Sequence, residues 1–240
     1  MTVSYEAAPR RIDPILLRLP AALWSALPRL VVAGALFMLA LVASSGLPGG
    51  FAVLAPLIAA VLTAVPTGWA MARISTDVFD AQVASPAVRY GRALLLIGGP
   101  GATVSLTACA AMITPTMPAF SFVSIVGVVL TGVAVLVVSV ALPLSTVRSE
   151  ALSSILVAAF YAVARRPIPP VAVLVALGAA TWASTTWAPS ALVLIPAVAV
   201  VLSFAAAWTV LPAVGVRLPE LAPVTSRALP TITHTTRGLR

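Results

Sequence analysis

The chain has 240 residues, of which 61% are hydrophobic and only 8% charged, and its mean hydropathy is +1.12. A soluble domain carries about a quarter charged residues to cover its wetted surface, so a water-soluble globule is excluded and most of this surface must face lipid. The net charge of +8 rests on 14 basic residues, all arginine, against 6 acidic ones. Arginines flanking apolar segments mark the cytoplasmic loops of membrane proteins, so a lipid bilayer and not nucleic acid is the expected partner.

The lone cysteine, Cys109, allows no intramolecular disulfide and reads as a small packing residue. Exclusive use of arginine, with much Ala, Val and Pro, suggests a GC-rich, actinobacterial source.

In chain order, residues 1–29 form a basic N-terminal segment. Its part 13–29, with Trp24, Arg18 and Arg29, is expected to be an interfacial helix on the inner leaflet. The rival reading is the n-region of a signal peptide cleaved at Ala43-Ser44-Ser45, although such a region would be unusually long. A spanning helix needs about 20 apolar residues, each rising about 1.5 Å through a core about 30 Å thick. Six stretches qualify: 30–47, 51–71, 93–114, 121–143, 171–188 and 190–211. None contains Arg, Asp, Glu or His, in keeping with the cost of about 2.5–3.5 kcal/mol for a charge at mid-bilayer.

The sequence thus predicts an all-α polytopic bundle, with six transmembrane helices in residues 30–211. Every arginine falls before span 1, between spans 2 and 3, between spans 4 and 5, or after span 6; the connections near 47–50, 115–120 and 188–189 hold none. The positive-inside rule then places both termini in the cytoplasm of a bacterial inner membrane. Trp69, Tyr90, Tyr161 and Trp208 mark the inner interface, and Trp182 and Trp187 the outer one.

The inner connections are predicted to be structured. Span 2 continues helically past Ala72 until Ser85-Pro86, where a serine cap and a first-turn proline start the next helix. Between spans 4 and 5, Leu152, Ile155, Leu156, Ala159 and Val163 recur at helical spacing, with Glu150, Ser153, Ser154 and Tyr161 on another face. That is an amphipathic inner helix, ended by Arg165-Arg166-Pro167. The tail, 212–240, has no periodicity and is expected to be mobile.

No catalytic, cofactor or metal constellation emerges. The only histidine, His234, lies in the tail and no acid lies within a span, so proton relays and Ser–His or Cys–His catalysis lack their parts. An enzyme is not expected; one acting on lipids would have to draw on Asp77, Asp80 or Glu150.

Three features remain as candidate sites. Gly98-Gly99-Pro100-Gly101 interrupts span 3 and reads either as a packing kink or as a briefly unwound backbone open to a ligand. Thr181, Trp182 and Thr185, with Ser184, Thr186 and Trp187, suit either a sugar-binding vestibule or interface anchoring. Arg148, Glu150, Arg165 and Arg166 bracket the inner helix and suit either partner docking, as at the coupling helix of an ABC permease, or a plain basic surface.

The stretch Val65-Pro66-Thr67-Gly68-Trp69-Ala70-Met71-Ala72-Arg73 is followed by Arg89-Tyr90-Gly91-Arg92 and an Ala/Leu run. Later come Leu142-Pro143-Leu144 and Ala162-Val163-Ala164-Arg165-Arg166-Pro167 before two closing spans. In this layout, over residues 25–212, the chain resembles the YesL-like family of bacterial membrane proteins. The resemblance implies an accessory or regulatory component of carbohydrate ABC import, without catalytic residues or cofactor. The alternative is a substrate-translocating subunit, permease-like or of the energy-coupling binding type.

Overall fold

The computed structural model describes residues 14–48, 50–79, 86–216 and Leu221. Among these residues seven α-helices follow one another: α1 (Pro14–Ser45), α2 (Ala55–Val78), α3 (Pro86–Ile113), α4 (Phe120–Val147), α5 (Leu152–Arg165), α6 (Ile168–Trp187) and α7 (Ile195–Val210). Short 3-10 turns lie at Ala52–Leu54, Pro189–Leu194 and Pro212–Val214. Among the described residues six helical segments are long and apolar enough to cross a membrane, so the chain is an all-α, multi-pass membrane bundle.

Proline punctuates these helices in two ways. It occupies the first turn of α2, α6 and α7, where the missing N–H costs no hydrogen bond. Pro20, Pro28, Pro66, Pro100 and Pro143 lie inside helices, each removing one backbone N–H from the helical hydrogen bonds. At Gly98-Gly99-Pro100-Gly101 the helix runs on unbroken through α3, so the backbone is not unwound there.

Three expectations change. Residues 14–29 are not a separate interfacial helix but the first half of α1. Ala22, Ala26, Leu30, Ala33 and Ala40 form one buried seam, and a continuous seam of small side chains favours a continuous helix. Next, α2 ends at Val78 rather than near Ser85, because Phe79 turns extended and packs its ring against Trp208 (5.2 Å between centroids) and Phe204 (6.0 Å). Finally, the tail begins with an ordered turn at Pro212–Val214, closed by Gly215 at φ 81°, a left-handed position that glycine takes without strain. Leu221 pairs with Phe79; the rest of the tail, and residues 80–85, lie outside the described residues.

The spanning helices close a ring in the order α1, α2, α3, α4, α6, α7. Its two ends differ. At the arginine-bearing end α2, α4 and α7 converge with α5 into a dense core that includes Met71, Ile74, Leu144, Ile155 and Val210. At the charge-free end α4 is largely open: Phe122, Ile125, Val128 and Val129 are all exposed, as a lipid-facing surface should be. The molecule is a cup, solid at the basic end and hollow towards the other.

Candidate functional site

The firmest polar structure is built around Arg92, in the second turn of α3 and only 8% exposed. Its Nη1 donates to the carbonyls of Ser145 (3.2 Å) and Arg148 (2.8 Å), and Nη2 to those of Ser149 (3.1 Å) and Glu150 (2.5 Å). These oxygens belong to the last turn of α4 and the link to α5. Arg148 and Ala151 are both extended there, and no side chain of the link caps α5. A helix C-terminus leaves carbonyls unpaired and carries partial negative charge. The planar fork of arginine spreads its donors over two Nη atoms and so reaches four acceptors, whereas a lysine ammonium has three donors on a single nitrogen.

A second group of contacts ties the same end together. Ser25 donates to Asp77, Arg73 pairs with Asp77 at 3.4 Å, and Arg18 reaches the Val78 carbonyl at 3.4 Å. The Arg29 guanidinium lies 4.5 Å from the centre of the Trp69 ring, a cation–π contact joining α1 to α2. Ser75 and Thr146 share a buried hydrogen bond of 2.7 Å between α2 and α4. A double-mutant cycle with Ser75→Ala and Thr146→Val should return a coupling of about 0.6–1.7 kcal/mol, the range for interhelical hydrogen bonds in membranes. A coupling of zero would show that the pair does not join the two helices.

Above the core lies a cavity of about 460 Å³ lined by all six spanning segments. Phe37, Pro56, Ile97, Val138, Val173 and Ile195 each come from a different one. Its polar side chains are the hydroxyls of Thr63, Thr67, Ser139 and Ser203; no lining side chain is charged. Thr63 and Ser139 return their hydrogens to the carbonyls of Ala59 and Leu136, each at 2.7 Å. Such a space offers van der Waals contact and a few hydrogen bonds, and no charge for acid–base work.

The residues singled out from sequence end up apart. Arg148 and Glu150 form an exposed ion pair of 2.9 Å beside the link held by Arg92. Arg165 and Arg166 lie at the other end of α5, about 20 Å away along the helix, where Arg165 bonds the Tyr161 hydroxyl at 2.8 Å. Pro100 and Gly101 line the cavity, whereas Gly98 and Gly99 have open space where a side chain would go. Thr181, Trp182 and Thr185 are exposed and lie outside this cavity. Both threonines bond back to carbonyls of their own helix, at 2.8 and 2.9 Å, and Trp182 packs edge-on to Trp187.

Sequence reasoning missed the role of Arg92 and the hydroxyls of the cavity. The available signal was the i, i+4 spacing of Thr63 and Thr67 within an apolar span. Among the described residues no group of three or more His, Cys, Asp or Glu side chains gathers to hold a metal; Asp80 and His234 lie outside the described residues. No family model, no curated protein and no solved structure matches the chain.

Proposed function

We propose that this chain is a non-catalytic component of the bacterial cytoplasmic membrane that acts on a partner through its arginine-bearing end, as an accessory of carbohydrate ABC import. The observation that carries this reading is the clamp of Arg92 on four carbonyls at the end of α4 and in the link to α5, which fixes α5 against the bundle. Fixed in this way, α5 buries Ile155, Ala159 and Val163 and leaves Val157 (70% exposed), Phe160 (58%) and Tyr161 (52%) on the surface. Large apolar side chains rimmed by charge, here Arg148, Glu150, Arg165 and Arg166, mark interaction surfaces. The positive-inside rule turns this end to the cytoplasm, where the ATPases of importers sit, and the YesL-like layout supplies the class of partner.

A second reading, a translocating or substrate-binding subunit, is favoured by the cavity lined by all six spans. Its apolar lining does not suit a sugar, whose many hydroxyls would lose hydrogen bonds there. This keeps the accessory reading first.

Affinity purification from the native membrane separates the two. An accessory protein brings down a complete importer, permeases and ATPase together; a translocating subunit brings down an ATPase alone. Phe160→Asp and Glu150→Arg should each weaken capture at least tenfold, as substitutions at the centre and rim of an interface do. Undiminished capture by both variants would remove α5 from the contact, and capture of no importer subunit would sink both readings.

A further inference from the structure

We infer that the central cavity binds a neutral molecule with a hydrocarbon body and one hydrogen-bonding head group, admitted from the bilayer between α4 and α6. Its volume of about 460 Å³ lies within the range of about 300–1,000 Å³ typical of ligand pockets. It is about three times the engineered apolar cavities of about 150 Å³ that stay dry and take up benzene. A packing defect between helices would be far smaller.

The head group is indicated by two hydroxyls. Thr67, midway along α2, and Ser203, midway along α7, both line the cavity and are each 7% exposed. Neither makes a hydrogen bond to any described residue, whereas Thr63 and Ser139 beside them bond back to their own helices. Both oxygens keep accessible surface, unlike the sealed Thr131 hydroxyl; a hydroxyl facing an apolar space without a partner is unfavourable, and a polar atom of a ligand would relieve both. The absence of charge in the lining excludes an ionic head, and the scarcity of polar atoms excludes a sugar. An alcohol, or a carbonyl on a hydrocarbon chain, satisfies every wall.

The route follows from which helices line the cavity at each depth. At the charge-free end Ala55, Pro56, Ile195 and Pro196 still line it, but α4 contributes nothing outward of Val135 and α6 nothing outward of Leu177. Beyond those points Val129, Val133 and Trp182 are exposed. The wall is therefore missing between α4 and α6, on the side that meets acyl chains.

The test uses the full chain in phosphatidylcholine nanodiscs and a diazirine derivative of 1-decanol as photolabel. Labelling should saturate and map to residues 55–67 and 195–203. Free 1-decanol should compete about tenfold better than decane, the factor given by about 1.4 kcal/mol from one hydrogen bond. The isosteric pair Thr67→Val with Ser203→Ala should erase that preference while leaving labelling of the same segments. Ala199→Phe, which fills the space, should abolish labelling. If it fails to fold, the isosteric double variant decides alone. Non-saturating label spread over Phe122 and Ile125, as from bulk lipid, would overturn the proposal, as would an alcohol preference unchanged in the double variant.

Discussion

Arg92→Ala should lower the unfolding free energy by about 3–5 kcal/mol, the range seen when a buried charge network loses one partner. The guanidinium satisfies four carbonyls at the end of α4 and in the link to α5; alanine leaves the enclosed ones unpaired. Hydrogen bonds from a charged donor contribute about 1.5–3 kcal/mol each when removed singly, and they are not additive. Arg92→Lys keeps the charge near the helix C-terminus but loses the fork, so it should cost about half as much, roughly 2 kcal/mol. Arg148→Ala is the control: its ion pair with the half-exposed Glu150 is a surface pair of about 0–1 kcal/mol. Denaturant unfolding in detergent micelles, followed by tryptophan fluorescence, measures all three. The alanine variant should also be cut by protease between Arg148 and Ala151, where the clamp is lost. Stability within 1 kcal/mol of the parent would show that water or lipid replaces the guanidinium without cost.

That clamp shows what was legible in the sequence and what was not. Hydropathy alone located six spans, because each must satisfy the same solvent constraint independently of its neighbours. Helical spacing alone identified α5, and Ile155, Ala159 and Val163 are indeed its buried face. By contrast, Arg92 looks like any arginine flanking a span. Its role depends on the chain returning, more than fifty residues later, with Ser145–Glu150 beside it. The exposed face of α5 was expected to be polar, but it also carries Val157 and Phe160. A residue scale cannot distinguish an apolar side chain facing the core from one left for a partner. The cavity was illegible for the same reason: it is formed by six segments at once, and each wall residue reads as ordinary lipid-soluble helix.

The glycines make the distinction measurable. Sequence inspection draws the eye to Gly98 and Gly99, which adjoin a mid-span proline, and passes over Gly34 in an unremarkable apolar run. The structure reverses that ranking. A side chain at Gly34 would run into the backbone oxygen and side chain of Val193, in the 3-10 turn before α7, whereas one at Gly99 meets nothing within 4 Å. Backbone atoms held in a turn cannot rotate away as a flexible side chain can, so Gly34→Leu must push α1 off the Pro189–Leu194 segment. The expected loss is about 3 kcal/mol or more, at the upper end for overpacking. Gly99→Leu adds a methylene-rich side chain to an exposed helix face and replaces a poor helix former with a good one, so it should be neutral or stabilising by up to about 1 kcal/mol. The two substitutions are chemically identical, so composition cannot account for a difference between them. Because Val193 lies two residues before Ile195, which lines the cavity, Gly34→Leu should also weaken photolabelling by the decanol probe, and Gly99→Leu should leave it unchanged. Equal stabilities for the two variants would mean that α1 does not rest on that turn, and the ring of six helices would be open where it is drawn closed.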